Sequence, residues 1–232
     1  MSEVFKVVDK ITQEKWNEAQ RHELHEWDCQ PSDGDDWNNW WKDKFDDYKF
    51  LEGETNTHTV MEIGSGPWAR NLENVLNTLP VAPKKIIIED PLLDEYIKAG
   101  KSVKRFKDYH SMETHLISKP FEQCDGTVIE PKSVDIIVCN NVLDHVYDVG
   151  QIFDNIYAAL KEGGLLILGQ DLKNETDKFV EDVMHPILLD HDCLDKLLNT
   201  GYTTQMYKIL EREKGRNPEY HYGTYLFVGR KV

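Results

Sequence analysis

Residues 59–168 repeat one unit: a short apolar run, a loop, and then a segment of helical length. The apolar runs are Thr-Val-Met-Glu-Ile at 59–63, Lys-Ile-Ile-Ile-Glu at 85–89, Val-Asp-Ile-Ile-Val-Cys at 134–139 and Leu-Leu-Ile-Leu at 165–168. Segments 71–79, 92–99 and 151–160 supply helices between them. Strands that are apolar almost throughout are buried on both faces, and strands that alternate with helices build parallel sheets. The pattern therefore calls for an α/β fold with a doubly wound, mostly parallel sheet. Two more strands, at 203–210 and 222–230, flank a polar loop at 211–219 and predict an antiparallel hairpin at one edge.

The first 55 residues read differently. They hold five of the six tryptophans (Trp16, Trp27, Trp37, Trp40 and Trp41) and 15 acidic against 7 basic residues. Residues 12 to about 27 predict a helix capped by Thr12. Residues 31–36 are turn-rich, and 37 to about 50 predict a second helix with aromatics at helical spacing. The expected organisation is a helical lid over 1–55 and an α/β domain over 56–232. Aromatics at this spacing are read as core first and as a cage for a cationic ligand second.

Charge narrows the partners. With 27 Lys and Arg against 42 Asp and Glu, the net charge is −15. Such a chain repels phosphate backbones and anionic lipid surfaces, so neither nucleic acid nor membrane is expected as a partner. The lysines and arginine at 98, 101, 104, 105 and 107 read as a solvated helix face. No apolar run nears the ~20 residues of a membrane span, and the N-terminus lacks a signal-peptide pattern, so a cytoplasmic location is expected. Cys29, Cys124, Cys139 and Cys193 form no CxxC pair and are expected to be free thiols.

Ligands of such a sheet bind beyond the carboxyl ends of its strands. The loop after the first strand is Gly64-Ser65-Gly66-Pro67, preceded by Glu62. Glycine lets the backbone turn tightly and approach a ligand closely. The second strand ends in Glu89-Asp90-Pro91, where an acid can accept hydrogen bonds from both ribose hydroxyls. Asp90 is the preferred ligand there, with a helix N-cap as its plainer reading. A dinucleotide fingerprint would want a further glycine at 69, where alanine stands, a residue that fingerprint also tolerates.

Four segments resemble the class I S-adenosylmethionine-dependent methyltransferases, in order and spacing, from residue 60 to the C-terminus. Glu62-Ile63-Gly64-Ser65-Gly66-Pro67 is similar to the family's first motif and Ile88-Glu89-Asp90-Pro91 to its second. Residues 134–146, ending Asn140-Asn141-Val142-Leu143-Asp144-His145-Val146, are similar to the fourth. Leu160-Lys161-Glu162-Gly163-Gly164 is similar to the turn before the fifth strand. The resemblance implies a Rossmann-like, seven-stranded sheet and S-adenosyl-L-methionine as cofactor. It implies that the glycine loop lies against the methionine portion, that Asp90 and Pro91 border the ribose, and that Asn140 and Asn141 line the cofactor. An acid near the adenine amine is implied as well, with Glu122 the candidate and Asp125 its rival.

For the acceptor, candidate catalytic groups are Asp144, His145, His185 and His191. A His-Pro pair such as His185-Pro186 borders the acceptor pocket in small-molecule members of the family. Histidine titrates near neutrality and so suits proton transfer. His145 and His191 could instead be helix-start residues. A metal held by His185, Asp190 and His191 is not expected, because the spacing matches no strong ligand pattern. Arg212, Arg216, Tyr220, His221 and Tyr222 should sit at the same end of the sheet. The N-terminal segment resembles those of bacterial methyltransferases acting on sugars or glycan intermediates, which implies a small-molecule or glycan hydroxyl as acceptor. N-methylation of a small amine is the first alternative. A non-catalytic adenosylmethionine-binding regulatory module and, more distantly, a dehydrogenase are the others.

Overall fold

The computed structural model describes residues 7–29, 36–101, 112–174, 177 and 182–232, and side chains from 39 onward in the second of these stretches. The turn-rich residues 31–35 and the cations at 104, 105 and 107 lie outside them.

Seven strands form one sheet: β1 (Thr59–Ile63), β2 (Lys85–Glu89), β3 (Glu113–Ile117), β4 (Val134–Asn140), β5 (Leu160–Leu172), β6 (Tyr202–Glu211) and β7 (Gly223–Lys231). Their order is β3-β2-β1-β4-β5-β7-β6. β1 to β5 are mutually parallel, while β7 runs antiparallel to both β5 and β6. This is the doubly wound sheet with an edge hairpin that the sequence dictates. The central strands are buried almost throughout because helices cover both faces.

One face is covered by α5 (Val149–Ala159) and α6 (His191–Leu198). α5 directs Ile152, Phe153 and Ile156 inward, and each such side chain contributes roughly 1.5–3 kcal/mol on burial. The other face carries α3 (Arg70–Thr78) and α4 (Leu93–Lys98), together with residues of the N-terminal segment. There the predicted helix over 37–50 is broken. α2 (Asp36–Lys44) ends, and a 3-10 turn (Asp46–Leu51) follows in which Asp46, Asp47 and Tyr48 take positive φ. The kink brings Phe45, Tyr48 and Leu51 into the core together, with Phe45 and Tyr48 stacked at 5.7 Å. Burying these side chains offsets the left-handed backbone.

The first helix, α1 (Gln13–Cys29), begins as expected, with Thr12 Oγ1 accepting the Lys15 N–H. It lies across the carboxyl end of the sheet. Trp16 Nε1 and Gln20 Nε2 both donate to the His145 carbonyl, at 3.0 and 3.3 Å. Among the described residues, no helix is long and apolar enough to cross a membrane. All four cysteines are free thiols.

Candidate active site

A cleft of about 410 Å³ opens at the carboxyl ends of β1, β2 and β4, under α1. That is the size class of small-molecule and cofactor sites. Gly64 and Gly66 form its floor with φ of +62° and +55°. A Cβ on Gly64 would sit 2.5 Å from Val142 Cγ2, so only glycine fits there. The loop is pinned by the acids of β2. Gly64 N–H donates to Glu89 Oε2 (3.2 Å) and Gly66 N–H to Asp90 Oδ2 (2.9 Å). Asp90 Oδ1 accepts the Leu92 N–H at 2.8 Å, so Asp90 is a turn anchor as well as a cleft wall.

Eleven of the fourteen residues assigned from the sequence to the cofactor or to catalysis border this cleft: Gly64, Ser65, Gly66 and Pro67 on the first loop, Asp90 and Pro91 on the second, and Glu122, Asn140, Asn141, His145 and His185 beyond them. Glu62, Asp144 and His191 do not. Glu62 is buried behind the loop, where Asn71 Nδ2 and the Leu72 N–H occupy its two oxygens at 3.0 Å each. It fastens β1 to the start of α3. His191 opens α6 after the Asp190 cap, and its Nδ1 and backbone N–H both meet the Tyr222 hydroxyl at 3.0 Å. Asp144 is buried immediately beneath the wall. Of the two candidates for the acid near the adenine, Glu122 lines the cleft and accepts the Tyr147 N–H at 2.7 Å; Asp125 accepts from Thr127 instead.

The cleft is acidic. Burial raises the carboxyl of Glu89 well above its ordinary range, aided by the neighbouring Asp90 charge. Burial likewise lifts Asp90 to about 7, against the loop N–H groups that favour its ionised form and with Glu23 of α1 adding to the rise. Glu122 is raised by burial too. Glu89 Oε1 is buried with no hydrogen-bond partner. Such an atom is costly unless a ligand donates to it.

A pH prediction follows from Asp90. Its folded pKa is raised from 3.8 to about 7, so the folded chain holds a proton that the unfolded chain has released. The associated stability is complete below about pH 4 and is lost as pH rises toward about 7, at up to ~1.4 kcal/mol per unit. Denaturant midpoints of the ligand-free protein should fall over this range, and the fall should be shallower in Asp90→Asn. Parallel pH profiles for the two proteins would refute the assignment.

On the other side of the cleft, one donor atom from each of Asp144, His145 and His185 lies within 4.8 Å of the others. The His145 and His185 rings are 4.5 Å apart, centroid to centroid. His185 Nδ1 is hydrogen-bonded to Asp182 at 2.6 Å, and His145 Nδ1 faces Glu23 at 3.4 Å. Burial would raise the Asp144 carboxyl, but His145 and His185 outweigh it and hold the group below the usual range. His185 is shifted upward: burial lowers it, and Asp182 and Asp144 more than compensate. The set His185, Asp190 and His191 is not brought together.

The β6–β7 loop adds Arg216 and Asn217 to the cleft. Arg216 Nε bonds the buried Asp171 at 2.9 Å, and its guanidinium lies 5.5 Å from the Trp41 ring. Arg212 instead pairs with Asp177, and His221 is buried against Asp171. Glu23, Asp182 and Asn217 were not anticipated. Asp182 carried a signal, three residues ahead of His185, and Asn217 carried one in belonging to the loop expected at this end of the sheet; Glu23 carried none, since only the docking of α1 brings it here.

Residues 62–166 match the family model described as a methyltransferase domain. The seven-stranded sheet has the Rossmann-like order of the methyltransferase fold. Structural likeness extends over nearly its whole length at low identity. The N-methyltransferase NodS from Bradyrhizobium japonicum WM9, in complex with S-adenosyl-L-homocysteine, aligns with a TM-score of 0.64 and 15% identity, over 90% of this chain and 97% of that one. The 1,6-didemethyltoxoflavin-N1-methyltransferase of Burkholderia thailandensis aligns with a TM-score of 0.66 and 13% identity, over 98% and 95%. The chain spans about half (49%) of the CurJ carbon methyltransferase structure, at a TM-score of 0.54 and 19% identity. No curated protein matches the chain by sequence.

Proposed function

We propose that this methyltransferase binds S-adenosylmethionine along the Gly64–Gly66 loop and transfers its methyl group to a hydroxyl of a small molecule or sugar intermediate. The observation that carries the reading is a single cleft whose one side is a glycine loop between buried acids and whose other side is the Asp144, His145 and His185 cluster. The fit to the cofactor rests on two features: the Gly64–Gly66 backbone that borders the cleft at positive φ, and the orphaned Glu89 Oε1 beside it. Asp90 and Glu89 would accept the ribose hydroxyls, and Glu122 would face the adenine. The bound cofactor supplies an electrophilic methyl. The chain's contribution is to hold the acceptor in line with it and to remove the hydroxyl proton. α1 and Trp41 would roof the acceptor as a lid.

A second reading is N-methylation of a small amine. Glu23 and Glu26 stand among Trp16 and Trp27 in the same cleft, a setting that suits a cation. The N-methyltransferase names of two structural neighbours support it as well.

Incubation with methyl-labelled cofactor and fractionated small-molecule extract should label a low-molecular-weight product, and fragmentation should place the methyl on oxygen. Label on nitrogen would favour the second reading, and label only on macromolecules would overturn both. Asp90→Ala should weaken S-adenosylhomocysteine binding by about 1–3 kcal/mol, the worth of charge-assisted hydrogen bonds. Wild-type affinity in calorimetry would remove Asp90 from the cofactor site.

A further inference from the structure

We propose that Asp144, His145 and His185 form a binding site for a divalent transition-metal ion of the zinc type, open toward the acceptor half of the cleft. The proposal rests on the reading of that half as the acceptor side, while the site itself stands on its own geometry.

Three observations converge. First, one donor atom from each residue lies within 4.8 Å of the others, and His145 Nε2 is 3.8 Å from Asp144 Oδ1. Ligand atoms around a tetrahedral zinc ion stand roughly 3.3 Å apart, given bonds of ~2.0–2.1 Å. Small side-chain rotations would close the three onto one ion.

Second, the cluster is not satisfied from within. Asp144 Oδ1 is buried and has no hydrogen-bond partner, and the Asp144 side chain is only 6% exposed. A buried carboxylate oxygen aimed between two imidazoles is a costly arrangement unless something bridges it.

Third, each histidine has a carboxylate behind it. Asp182 takes His185 Nδ1 at 2.6 Å and Glu23 faces His145 Nδ1 at 3.4 Å. Carboxylates in this outer position fix the ring and raise the basicity of the opposite nitrogen, as they do behind metal-bound histidines. Three carboxylates around two imidazoles also leave negative charge for a dication to neutralise.

The donor set decides the class of ion. Two imidazoles and one carboxylate suit zinc and its first-row neighbours, whereas calcium and magnesium take oxygen ligands. Three protein ligands leave a coordination position free, as in catalytic zinc sites. Because His145 and His185 line the cleft, that position faces the acceptor. An acceptor hydroxyl seated there would release its proton to solvent more readily before methyl transfer.

The test uses Co²⁺ as the probe on the full chain, stripped with chelator, with no cofactor or acceptor added. Visible absorption and calorimetry should report one Co²⁺ per chain, displaced by Zn²⁺ and not by excess Mg²⁺. His145→Ala and His185→Ala should each weaken binding at least tenfold, and Asp182→Asn by about 10–100-fold. His191→Ala, outside the cluster, should bind as wild type. If an alanine variant does not fold, Asp144→Asn replaces it with the same tenfold expectation. No Co²⁺ binding, equal binding by the cluster variants, or equal loss in His191→Ala would overturn the proposal. S-adenosylhomocysteine binding measured on the same samples tests the methyltransferase reading separately, since metal uptake does not require it.

Discussion

Replacing Gly64 by valine should abolish detectable S-adenosylhomocysteine binding and lower stability by roughly 2–5 kcal/mol. Two costs add. The backbone at φ +62° penalises any L side chain by about 1–2 kcal/mol, more for a β-branched one. The new Cβ would also stand 2.5 and 2.8 Å from the two Val142 methyls, and overpacking of this kind costs about 1–3 kcal/mol. Val142 belongs to the turn after β4, so relieving the clash pushes apart the two loops that line the cleft. Gly66 provides the control. Its φ is +55°, but an added Cβ would meet Trp27 Cζ2 at 3.6 Å, an ordinary contact. Gly66→Ala should therefore cost only the backbone term, while Gly64→Ala pays both. Chemical denaturation and calorimetry on the two alanine variants decide the matter: if Gly64→Ala is no worse than Gly66→Ala, the close approach to Val142 is not what requires glycine.

That pair also marks the limit of reading the site in sequence. The glycine loop was legible because a strand end, a turn and a helix start follow one another locally. Its reason was not. A side chain at 64 was expected to block a ligand, and the structure sets it first against Val142, 78 residues away. The same divide runs through the fold. The central strands declare themselves because burial on both faces leaves them apolar throughout. β3 does not, because it is an edge strand with Glu113, His115 and a half-exposed alternation, and it was expected only as part of a seven-stranded family sheet. The kink at Asp46–Tyr48 was hidden because aromatics at 37, 40, 41, 45 and 48 satisfy helical spacing, while tertiary burial decides where the chain leaves the helix. Asp144 and His145 were named together with His185, yet their meeting is set by how the segment after β5 folds back. No spacing over 40 residues encodes such a distance. Glu62 shows the converse: the acid expected beside the cofactor has both oxygens bonded to the start of α3, a support role that its place next to the loop does not encode.

Asp171→Ala should be the most damaging change outside the glycine loop, at about 3–5 kcal/mol. The Asp171 carboxylate is fully buried at the end of β5 and accepts from Arg216 Nε at 2.9 Å and from Thr224 Oγ1 at 2.8 Å, with His221 Nδ1 at 3.7 Å. Removing one member of a buried ion pair leaves the other charge uncompensated, which is the expensive way to break such a pair. The consequence reaches the cleft because Arg216 is held between Asp171 and the Trp41 ring. Released from Asp171, the β6–β7 loop loses one tie to the sheet on the acceptor side and keeps the Arg216 N–H bond to Thr224 Oγ1, whereas the Gly64–Asp90 side keeps all its contacts. The variant should therefore unfold at markedly lower denaturant while retaining S-adenosylhomocysteine affinity within a few-fold where it is folded. Asp171→Asn should be milder in packing but should still loosen Arg216. An equally large fall in cofactor affinity in Asp171→Ala would mean that the two halves of the cleft are not separable. A stability loss below about 1 kcal/mol would mean that Arg216 and His221 find other partners.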